Sequence, residues 1–402
     1  MLTFDEARAL LLRAACPLPA ETIATKLAHG RVLARELQAP AAIPPFAYSA
    51  MDGFALAVAD LPASGPWELP VAGESRTGYP SSALEPGKAA RISTGAELPA
   101  GADAVVPREL TAATDAGIRV TELPRRGQHI RRAGEDLALG AVAIARGARL
   151  GPAHLGLALS LDQTELEVTR RPRVAILATG DELRAAGSPA GPGKIPDSVS
   201  LPLSVLAERA GASARVLPHV GDERTATERA IADGLRDTDL LLTVGGVSVG
   251  DHDWVRPALA AQGIELEFWK VAIKPGKPLA FGRKHASGPA VLGLPGNPAS
   301  ALVTFALFGM PYLRALQGDA RPLPRSSRLP LARAFEHKPG RLEFVRATVE
   351  PGAGTTLVRP LENQASGALT SLAWADALAV IPAEAARVEA GSLIEVFLLD
   401  EI

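Results

Sequence analysis

Residues 239–253 of the chain read DLLLTVGGVSVGDHD. The nearly continuous apolar run at its start is typical of a strand that is buried on both faces of a parallel sheet. The two glycines that follow allow backbone N–H groups to approach an anion. Similar runs recur along the middle of the chain with helical patterns between them; the runs are 174–178, 214–220 and 291–294, and the helical patterns 203–210, 225–235 and 299–316. This alternation predicts a right-handed βαβ sheet.

The segments on either side of this sheet follow other patterns. Residues 3–16 and 22–37 carry apolar residues at helical spacing. Short apolar runs separated by Gly and Pro then indicate a β-rich domain; they cover 54–58, 89–92, 104–107 and 118–122. The proline-rich segment 318–330 is typical of a linker. After it, β-like runs predict a small terminal β-domain at 344–349, 377–381 and 393–398.

Composition restricts the class of protein. The chain has 402 residues, of which 47% are hydrophobic and 21% charged, with a formal charge of -2. This length predicts several domains, and the charge balance argues against a nucleic-acid partner. Cys16 is the single cysteine, which excludes an intramolecular disulfide and a cysteine-rich metal site. The first residues lack the pattern of a signal peptide and no apolar run is long enough for a membrane span, so we expect a cytoplasmic protein without a membrane partner.

Polar and glycine-rich loops follow the predicted strands of the middle domain. They are Thr179–Glu182, then His219 with Gly221 and Asp222, then 245–253, and finally 294–300. In an open α/β sheet, ligands bind beyond the carboxyl ends of the strands. Each loop alone could be an ordinary turn, but their convergence on one sheet edge predicts a binding cleft.

Three acids at these strand ends suggest a cation. Glu182, Asp222 and Asp253 would crowd one cleft, and crowded carboxylates repel each other unless they share a cation. Mg²⁺ prefers one or two carboxylates together with phosphate oxygens and water. The alternatives are that these acids are solvated or cap helices, and that Asp251 replaces Asp253 as the ligand.

Lys274 and Lys277 flank a Pro-Gly turn in the segment KVAIKPGKP, residues 270–278. Two ammonium groups at one loop tip form a good trap for an oxyanion. A pair of surface lysines often serves only solubility, but the two prolines favour a loop that is pre-organised for a ligand. In the β-rich part, residues 49–54, 91–96 and 131–136 place polar side chains beside glycine, which by spacing alone is a weak signal.

Together, these motifs resemble those of the molybdopterin molybdotransferases, the family of MoeA-type proteins and of the E-domain of gephyrin. The resemblance extends in order along the chain through SAMDGFA (49–55), ISTGAELP (92–99), IRRAGED (130–136), TGDEL (179–183), GGVSVGDHD (245–253), AIKPGKP (272–278) and PGNPASALVTF (295–305). Segments 340–346 and 364–372 are similar as well. One departure is Val199, which follows Asp197 and Ser198 where the family usually has Asn.

The resemblance implies a multidomain α/β plus β fold with four domains. A helical domain I covers 1–40 and 141–171, a β-rich domain II is inserted at 41–140, a three-layer molybdopterin-binding α/β domain III spans 172–320, and a small β-barrel domain IV spans 321–402. It also implies a homodimer whose cleft lies between domain III of one subunit and domain II of the other. A molybdopterin adenylyltransferase and molybdoenzyme-delivery proteins are possible partners.

The resemblance also implies roles for individual residues. The catalytic group is Asp52, Thr94, Asp136 and Glu182, and the Mg²⁺ ligands are Glu182, Asp222 and Asp253. Molybdate would be bound by Lys274, Lys277, Ser300, Arg346 and Ser366, with Arg341 as the alternative to Arg346. The pterin substrate would be bound by Asp197, Ser198, Gly245, Gly246, Ser248, Gly250, Pro295, Gly296, Asn297 and Pro298.

The implied activity is insertion of molybdate into adenylylated molybdopterin, with Mg²⁺-dependent release of AMP. Two alternatives remain at this point. A molybdopterin adenylyltransferase-like enzyme shares the α/β domain, although the SAMDG and IRRAGED segments belong to the molybdotransferase. A non-catalytic, gephyrin-like scaffold would not need to keep pre-organised charges in a cleft.

Overall fold

A computed structural model describes residues 1–246, 254–285, 288–352 and 354–400. The chain forms two compact units. The larger unit consists of Met1–Arg35, Arg146–Pro152 and Glu165–Ile402, and the smaller consists of Glu36–Ala145 and Ala153–Thr164. The multidomain α/β plus β fold class is confirmed, while the four-domain boundaries stay a prediction.

The first part of the chain contains short strands. Its helices are α1 (Phe4–Ala14) and α2 (Pro152–Ser160), and its strands are β1 (Ala20–Ala24), β2 (Leu37–Gln38), β3 (Tyr48–Ser49), β4 (Gly53–Leu56), β5 (Trp67–Leu69), β6 (Val71–Ser75), β7 (Ala89–Ile92), β8 (Ala104–Pro107), β9 (Thr111–Thr114), β10 (Gly117–Val120), β11 (Ile130–Arg131), β12 (Val142–Ile144) and β13 (Glu165–Thr169). Short 3₁₀ turns lie at Thr25–Leu27, Val58–Asp60 and Arg108–Leu110.

Helix α1 begins where the sequence predicts it. The Thr3 hydroxyl accepts a hydrogen bond from the Glu6 N–H, and the Glu6 carboxylate accepts one from the Thr3 N–H, which is a capping box. The predicted helix at 22–37 is wrong. Its first residues form β1, which pairs antiparallel with β13, because Thr22 and Ile23 are β-branched and find a partner strand there.

The smaller unit is built from small sheets. Strands β6, β7, β4 and β8 form one sheet in that order, and β5, β10 and β9 form another. Strands β4 and β8 are buried at every position. The apolar core of these sheets consists of Phe54, Leu56, Trp67, Leu69, Ala89, Ala104, Val106, Ile118 and Val120. The β-rich character predicted for this segment is confirmed.

The central sheet of the larger unit lies in the middle third of the chain. Its helices are α3 (Ser200–Arg209), α4 (Arg224–Gly234), α5 (Val255–Ala261), α6 (Pro298–Thr304) and α7 (Met310–Leu316), and a π-helical turn, Phe305–Gly309, joins the last two. The strands are β14 (Arg173–Ala178), β15 (Leu183–Arg184), β16 (Ile195–Pro196), β17 (Ser213–Val216), β18 (Leu240–Val244), β19 (Glu265–Trp269), β20 (Ile273–Lys274), β21 (Ala280–Arg283) and β22 (Ala290–Leu294).

The sheet order is β17-β14-β18-β22-β21-β19. The first four strands are parallel, as predicted. A parallel sheet is covered on both faces, which is why these strands are nearly continuous apolar runs. Two further strands were not predicted: β21, which pairs antiparallel with β22, and β19, which pairs antiparallel with β21 and forms the sheet edge. The stretch Pro298–Leu316 has the length and composition of a membrane span, but 89% of its apolar window is buried within the fold, as in a core helix.

The last part of the chain forms a small barrel. Its elements are β23 (Ser327–Pro330), β24 (Phe335–Glu336), β25 (Leu342–Pro351), β26 (Thr356–Pro360), α8 (Leu369–Ala373), β27 (Ala377–Ile381), β28 (Arg387–Val388) and β29 (Leu393–Leu398). The sheet order is β20-β25-β27-β29-β23, β26 pairs with β25, and a bridge between Leu331 and Val358 closes the sheet. The predicted linker 318–330 is therefore partly a strand, because β23 pairs with β29.

Candidate functional site

The carboxyl ends of the parallel strands lie side by side. The Thr179 N–H donates to the Val244 carbonyl (2.9 Å), and the Gly245 N–H donates to the Leu294 carbonyl (3.1 Å). Gly245 has a φ of +84°, and a Cβ on it would lie 2.9 Å from the Thr179 carbonyl oxygen, so only glycine fits. Within the described residues, the starts of the loops after β14, β18 and β22 therefore share this edge, as the sequence predicts.

Asp181 connects two of these loops. Its Oδ1 accepts a hydrogen bond from the Asp222 N–H (3.1 Å), and the Gly180 N–H donates to the Val220 carbonyl (3.0 Å). The carboxylates of Glu182 and Asp222 are exposed in the loops that these bonds hold together. Asp181 was missed because sequence spacing does not reveal a hydrogen bond from the backbone of the loop that follows the neighbouring strand, β17.

The predicted metal ligands can be compared with this arrangement only in part. Asp253 lies outside the described residues, as do Asp251, Ser248 and Gly250. Within the described ranges, no group of three or more His, Cys, Asp or Glu residues forms a metal site. Two exposed carboxylates, Glu182 and Asp222, are nevertheless the donor type that Mg²⁺ uses when phosphate oxygens and water complete its shell.

The Asp197 carboxylate binds the backbone where helix α3 begins. Its Oδ1 accepts hydrogen bonds from the N–H groups of Val199 (2.9 Å) and Ser200 (3.1 Å). Burial acts to raise the pKa of Asp197, but hydrogen bonds from Ser200 and Val199 outweigh it and lower the pKa below its ordinary value. Ser198 is half-buried beside it. Val199, where the family usually has Asn, packs into the apolar core with 5% exposure, so its side chain has a structural role.

The loop before α6 contacts a loop of the barrel. Asn297 precedes Pro298, the first residue of α6, and its Nδ2 donates to the Ser366 hydroxyl (3.0 Å). The Ser300 N–H donates to the Ser366 carbonyl (3.3 Å). A Cβ on Gly296 would lie 3.6 Å from the Gly245 Cα, so the segment Pro295–Pro298 reaches the glycine loop of β18. Gly246 follows Gly245 in that loop.

The Arg346 side chain hydrogen-bonds to the barrel loop that contains Ser366, residues 363–366. It is fully buried, and its Nε donates to the Ser371 hydroxyl (2.9 Å) while its Nη2 donates to the carbonyls of Asn363 (3.2 Å) and Ala365 (3.0 Å). Burial lowers the pKa of the guanidinium. Its Nη1 is buried without a hydrogen-bond partner. The alternative, Arg341, is half-buried, and its Nη1 lies 3.4 Å from the Ile273 carbonyl.

The two lysines sit on a loop that packs against α6. Gly276 has a φ of +105°, and a Cβ on it would lie 2.1 Å from the Thr304 Cγ2. The Thr304 hydroxyl donates to the Ser300 carbonyl (2.7 Å), so the loop lies one helical turn after Ser300. The structure therefore connects Lys274, Lys277, Ser300, Ser366 and Arg346 through α6 and the barrel loop.

Asp52 and Thr94 form a pair in the smaller unit. Asp52 Oδ1 accepts hydrogen bonds from the Thr94 N–H (2.6 Å) and from its hydroxyl (3.0 Å). These bonds, the backbone one first, lower the pKa of Asp52. The pairing of β4 with β7 places the two residues together. Asp136 lies on a separate loop, where its N–H donates to the Ile43 carbonyl (3.0 Å) and its carboxylate is exposed.

Known protein families match most of the chain. The MoeA N-terminal region (domains I and II) matches residues 2–161, a probable molybdopterin-binding domain matches 175–315, and the MoeA C-terminal region (domain IV) matches 328–399. The molybdopterin molybdenumtransferase of Haemophilus influenzae is 36% identical over 403 residues, with 98% of each chain covered. This chain belongs to the molybdopterin molybdenumtransferase family.

Other members of the family agree with this. Molybdopterin molybdenumtransferase 2 of Mycobacterium tuberculosis (strain H37Rv) is 37% identical, with 96% of each chain covered. Among solved structures, the molybdopterin biosynthesis moeA protein of Pyrococcus horikoshii OT3 superposes with a TM-score of 0.85 at 26% identity and covers 99% of this chain and 100% of its own. The family resemblance drawn from the motifs is confirmed, and the chain is a transferase of molybdenum cofactor biosynthesis.

Proposed function

We propose that this transferase inserts molybdate into adenylylated molybdopterin and releases AMP with the help of Mg²⁺. The observation that supports it is the contact series from the lysine loop through α6 to Ser366, which sets cationic and hydroxyl groups beside the glycine loops of the sheet. An oxyanion and a phosphate-linked pterin require groups of these two kinds next to each other.

In the larger unit, the basic residues and the acidic residues have different proposed roles. Lys274 and Lys277 neutralise molybdate, and the hydroxyls of Ser300 and Ser366 donate hydrogen bonds to its oxygens. The glycine loops leave space for the pterin and its phosphates. Glu182 and Asp222, with Asp253, would hold Mg²⁺, which neutralises charge on the pyrophosphate that is cleaved. The protein contributes positioning and electrostatic stabilisation rather than redox chemistry.

Asp52, Thr94 and Asp136 complete the proposed catalytic group. The hydrogen bonds from Thr94 keep the Asp52 carboxylate ionised and orient it, as required of a residue that positions a cation or a water. The homodimer, the partners that deliver the pterin and receive the product, and the cytoplasmic location stay predictions.

The test is a single-turnover assay with adenylylated molybdopterin, Mg²⁺ and molybdate. The wild-type protein should liberate AMP and retain molybdenum on the pterin, whereas an adenylylating enzyme would attach AMP and a scaffold would leave it bound. Asp52→Ala and Glu182→Ala should each slow AMP release by about 10²–10³-fold. Glu182→Ala should keep the wild-type thermal midpoint because Glu182 is exposed, whereas Asp52→Ala also loses the two hydrogen bonds from Thr94, so both variants are assayed well below their thermal midpoints.

Two exposed acids outside the proposed site serve as controls. Asp115→Ala in the smaller unit and Glu208→Ala on α3 should release AMP at the wild-type rate. Wild-type rates in both Asp52→Ala and Glu182→Ala would refute the proposed site.

A further inference from the structure

Lys274 is fixed by a buried carboxylate. Its Nζ lies 2.9 Å from Glu343 Oε1, and the parallel pairing of β20 with β25 sets Lys274 directly opposite Glu343. The lysine side chain is 45% exposed, whereas that of Glu343 is 3% exposed. The ion pair therefore has one end in the protein interior and the other at the surface where the lysine loop lies.

Burying a carboxylate is costly, and Glu343 is surrounded by groups that offset the cost. Lys274 approaches one carboxylate oxygen, and the buried Arg346 guanidinium attracts the carboxylate over a longer distance. An apolar pair in this place would often stabilise the barrel as well or better than a buried ion pair. The charge at Glu343 is therefore better explained by what it does to Lys274 than by stability.

His337 lies beside the Glu343 carboxylate oxygen that does not contact Lys274. Its Nδ1 lies 2.7 Å from the Ala385 carbonyl, which can only accept, so Nδ1 carries the proton and the ring is oriented. Nε2 then faces Glu343 Oε2 at 3.5 Å, too far for a strong hydrogen bond. With a 2% exposed side chain, His337 limits the rotation of the carboxylate and shields it from water.

We propose that Glu343, supported by His337, is a positioning residue that holds the Lys274 ammonium where molybdate binds. The inference rests on the proposed function and names two residues that this function does not include. Without Glu343, the flexible lysine side chain samples many rotamers and must be ordered when the oxyanion binds, which weakens binding. The Glu343 carboxylate also neutralises part of the Lys274 charge. This limits the affinity of the site for the oxyanion, so that molybdate can leave it.

The test compares Glu343→Gln with Lys274→Met and with the double variant in the full-length protein. Glu343→Gln keeps the size of the side chain and removes its charge. We expect the molybdate KM for AMP release, and the molybdate Kd by calorimetry with molybdate alone, to rise about 10-fold, with the KM for adenylylated molybdopterin unchanged. His337→Gln should raise the molybdate KM by a smaller factor.

The double variant separates positioning from a general structural effect. If Glu343 acts through Lys274, adding Glu343→Gln to Lys274→Met changes the molybdate KM no further. Equal increases in both substrate KM values, or additive effects in the double variant, overturn the proposal. If Glu343→Gln does not fold, His337→Gln decides: an unchanged molybdate KM overturns the proposal and an increased one supports it.

The outcomes also distinguish this inference from the proposed function. A Lys274→Met variant with unchanged molybdate dependence removes Lys274 from the site and refutes that part of the proposed function. A strong effect of Lys274→Met together with no effect of Glu343→Gln leaves the proposed function intact and overturns the positioning role alone.

Discussion

The lysine loop of the larger unit and the Asp52–Thr94 pair of the smaller unit differ in how their charged side chains are positioned. Lys274 depends on Glu343 and the barrel loop depends on Arg346, both of which are buried. Asp52 is exposed and is held by one neighbouring residue. Buried charges couple binding to folding because their loss leaves unpaired polar groups, whereas an exposed pair can be altered without harm to the core.

The largest effect that tests this comparison is expected for Arg346→Met. The substitution keeps much of the volume but removes the donors to Ser371 and to the carbonyls of Asn363 and Ala365. Hydrogen bonds from charged donors contribute about 1.5–3 kcal/mol each and are not additive, so we expect a loss of about 3 kcal/mol in unfolding free energy. Urea denaturation followed by circular dichroism measures it.

The matched control is Arg359→Met on the adjacent strand β26. Arg359 pairs with Glu350 at the surface, so the urea midpoint should stay at the wild-type value. Equal losses in the two variants would remove the distinction between buried and exposed charges.

A smaller effect is expected for Gly276→Ala. The new Cβ would collide with Thr304 Cγ2 and the φ of +105° disfavours any side chain, so we expect a loss of about 2 kcal/mol and weaker molybdate binding. Gly340→Ala has a similar φ (+117°) with open space around its Cβ, and it measures the backbone strain alone. If the two variants lose the same stability, the packing of the lysine loop on α6 has no energetic importance.

The smallest effect is expected for Thr94→Val in the smaller unit. The variant loses the hydroxyl hydrogen bond to Asp52 but keeps the backbone one, which is the larger cause of the lowered pKa. The pKa of Asp52, measured by NMR of the carboxyl carbon, should rise yet remain below the ordinary value of about 3.9. A pKa above that value would mean that the backbone bond is absent in solution.

This substitution also has a defined consequence for acid stability. Because folding lowers the pKa of Asp52, its stabilising contribution is complete above the unfolded-state pKa and is lost as pH falls through the folded-state pKa. Thr94→Val should therefore be less stable than the wild type at pH 7, where the contribution of the hydroxyl bond is complete, and the difference should shrink as pH falls through the folded-state pKa.

The sequence predicted regular, buried elements well and long-range polar contacts poorly. Strands Ala377–Ile381 and Leu393–Leu398 lie where their β-like runs predict them, and the parallel strands follow their apolar runs. β19 was missed because its ELEFW pattern has exposed glutamates, as suits a sheet edge. The 22–37 helix failed because a partner strand outweighed a helical spacing of apolar residues.

The candidate site shows the same division. Glycines and lysines in short motifs could be predicted, because a tight turn or a close approach of charge requires those residue types locally. The contacts of Glu343 with Lys274 and of Asp181 with the Asp222 N–H join residues that are distant in sequence, and no spacing rule marks them. The sequence predicted that Arg346 binds molybdate. In the structure its side chain is fully buried and hydrogen-bonds to the backbone of the loop that contains Ser366.

Strand β20 belongs by chain position to the α/β part but hydrogen-bonds to β25 of the barrel. The α/β part and the barrel therefore cannot be exchanged independently between members of the family. A chimera that takes residues 327–400 from another member of the family must take residues 270–278 with them, or Lys274 will meet a foreign strand. In the same way, a protease that removes the C-terminal region would also abolish the anchoring of a lysine more than fifty residues upstream of the cut.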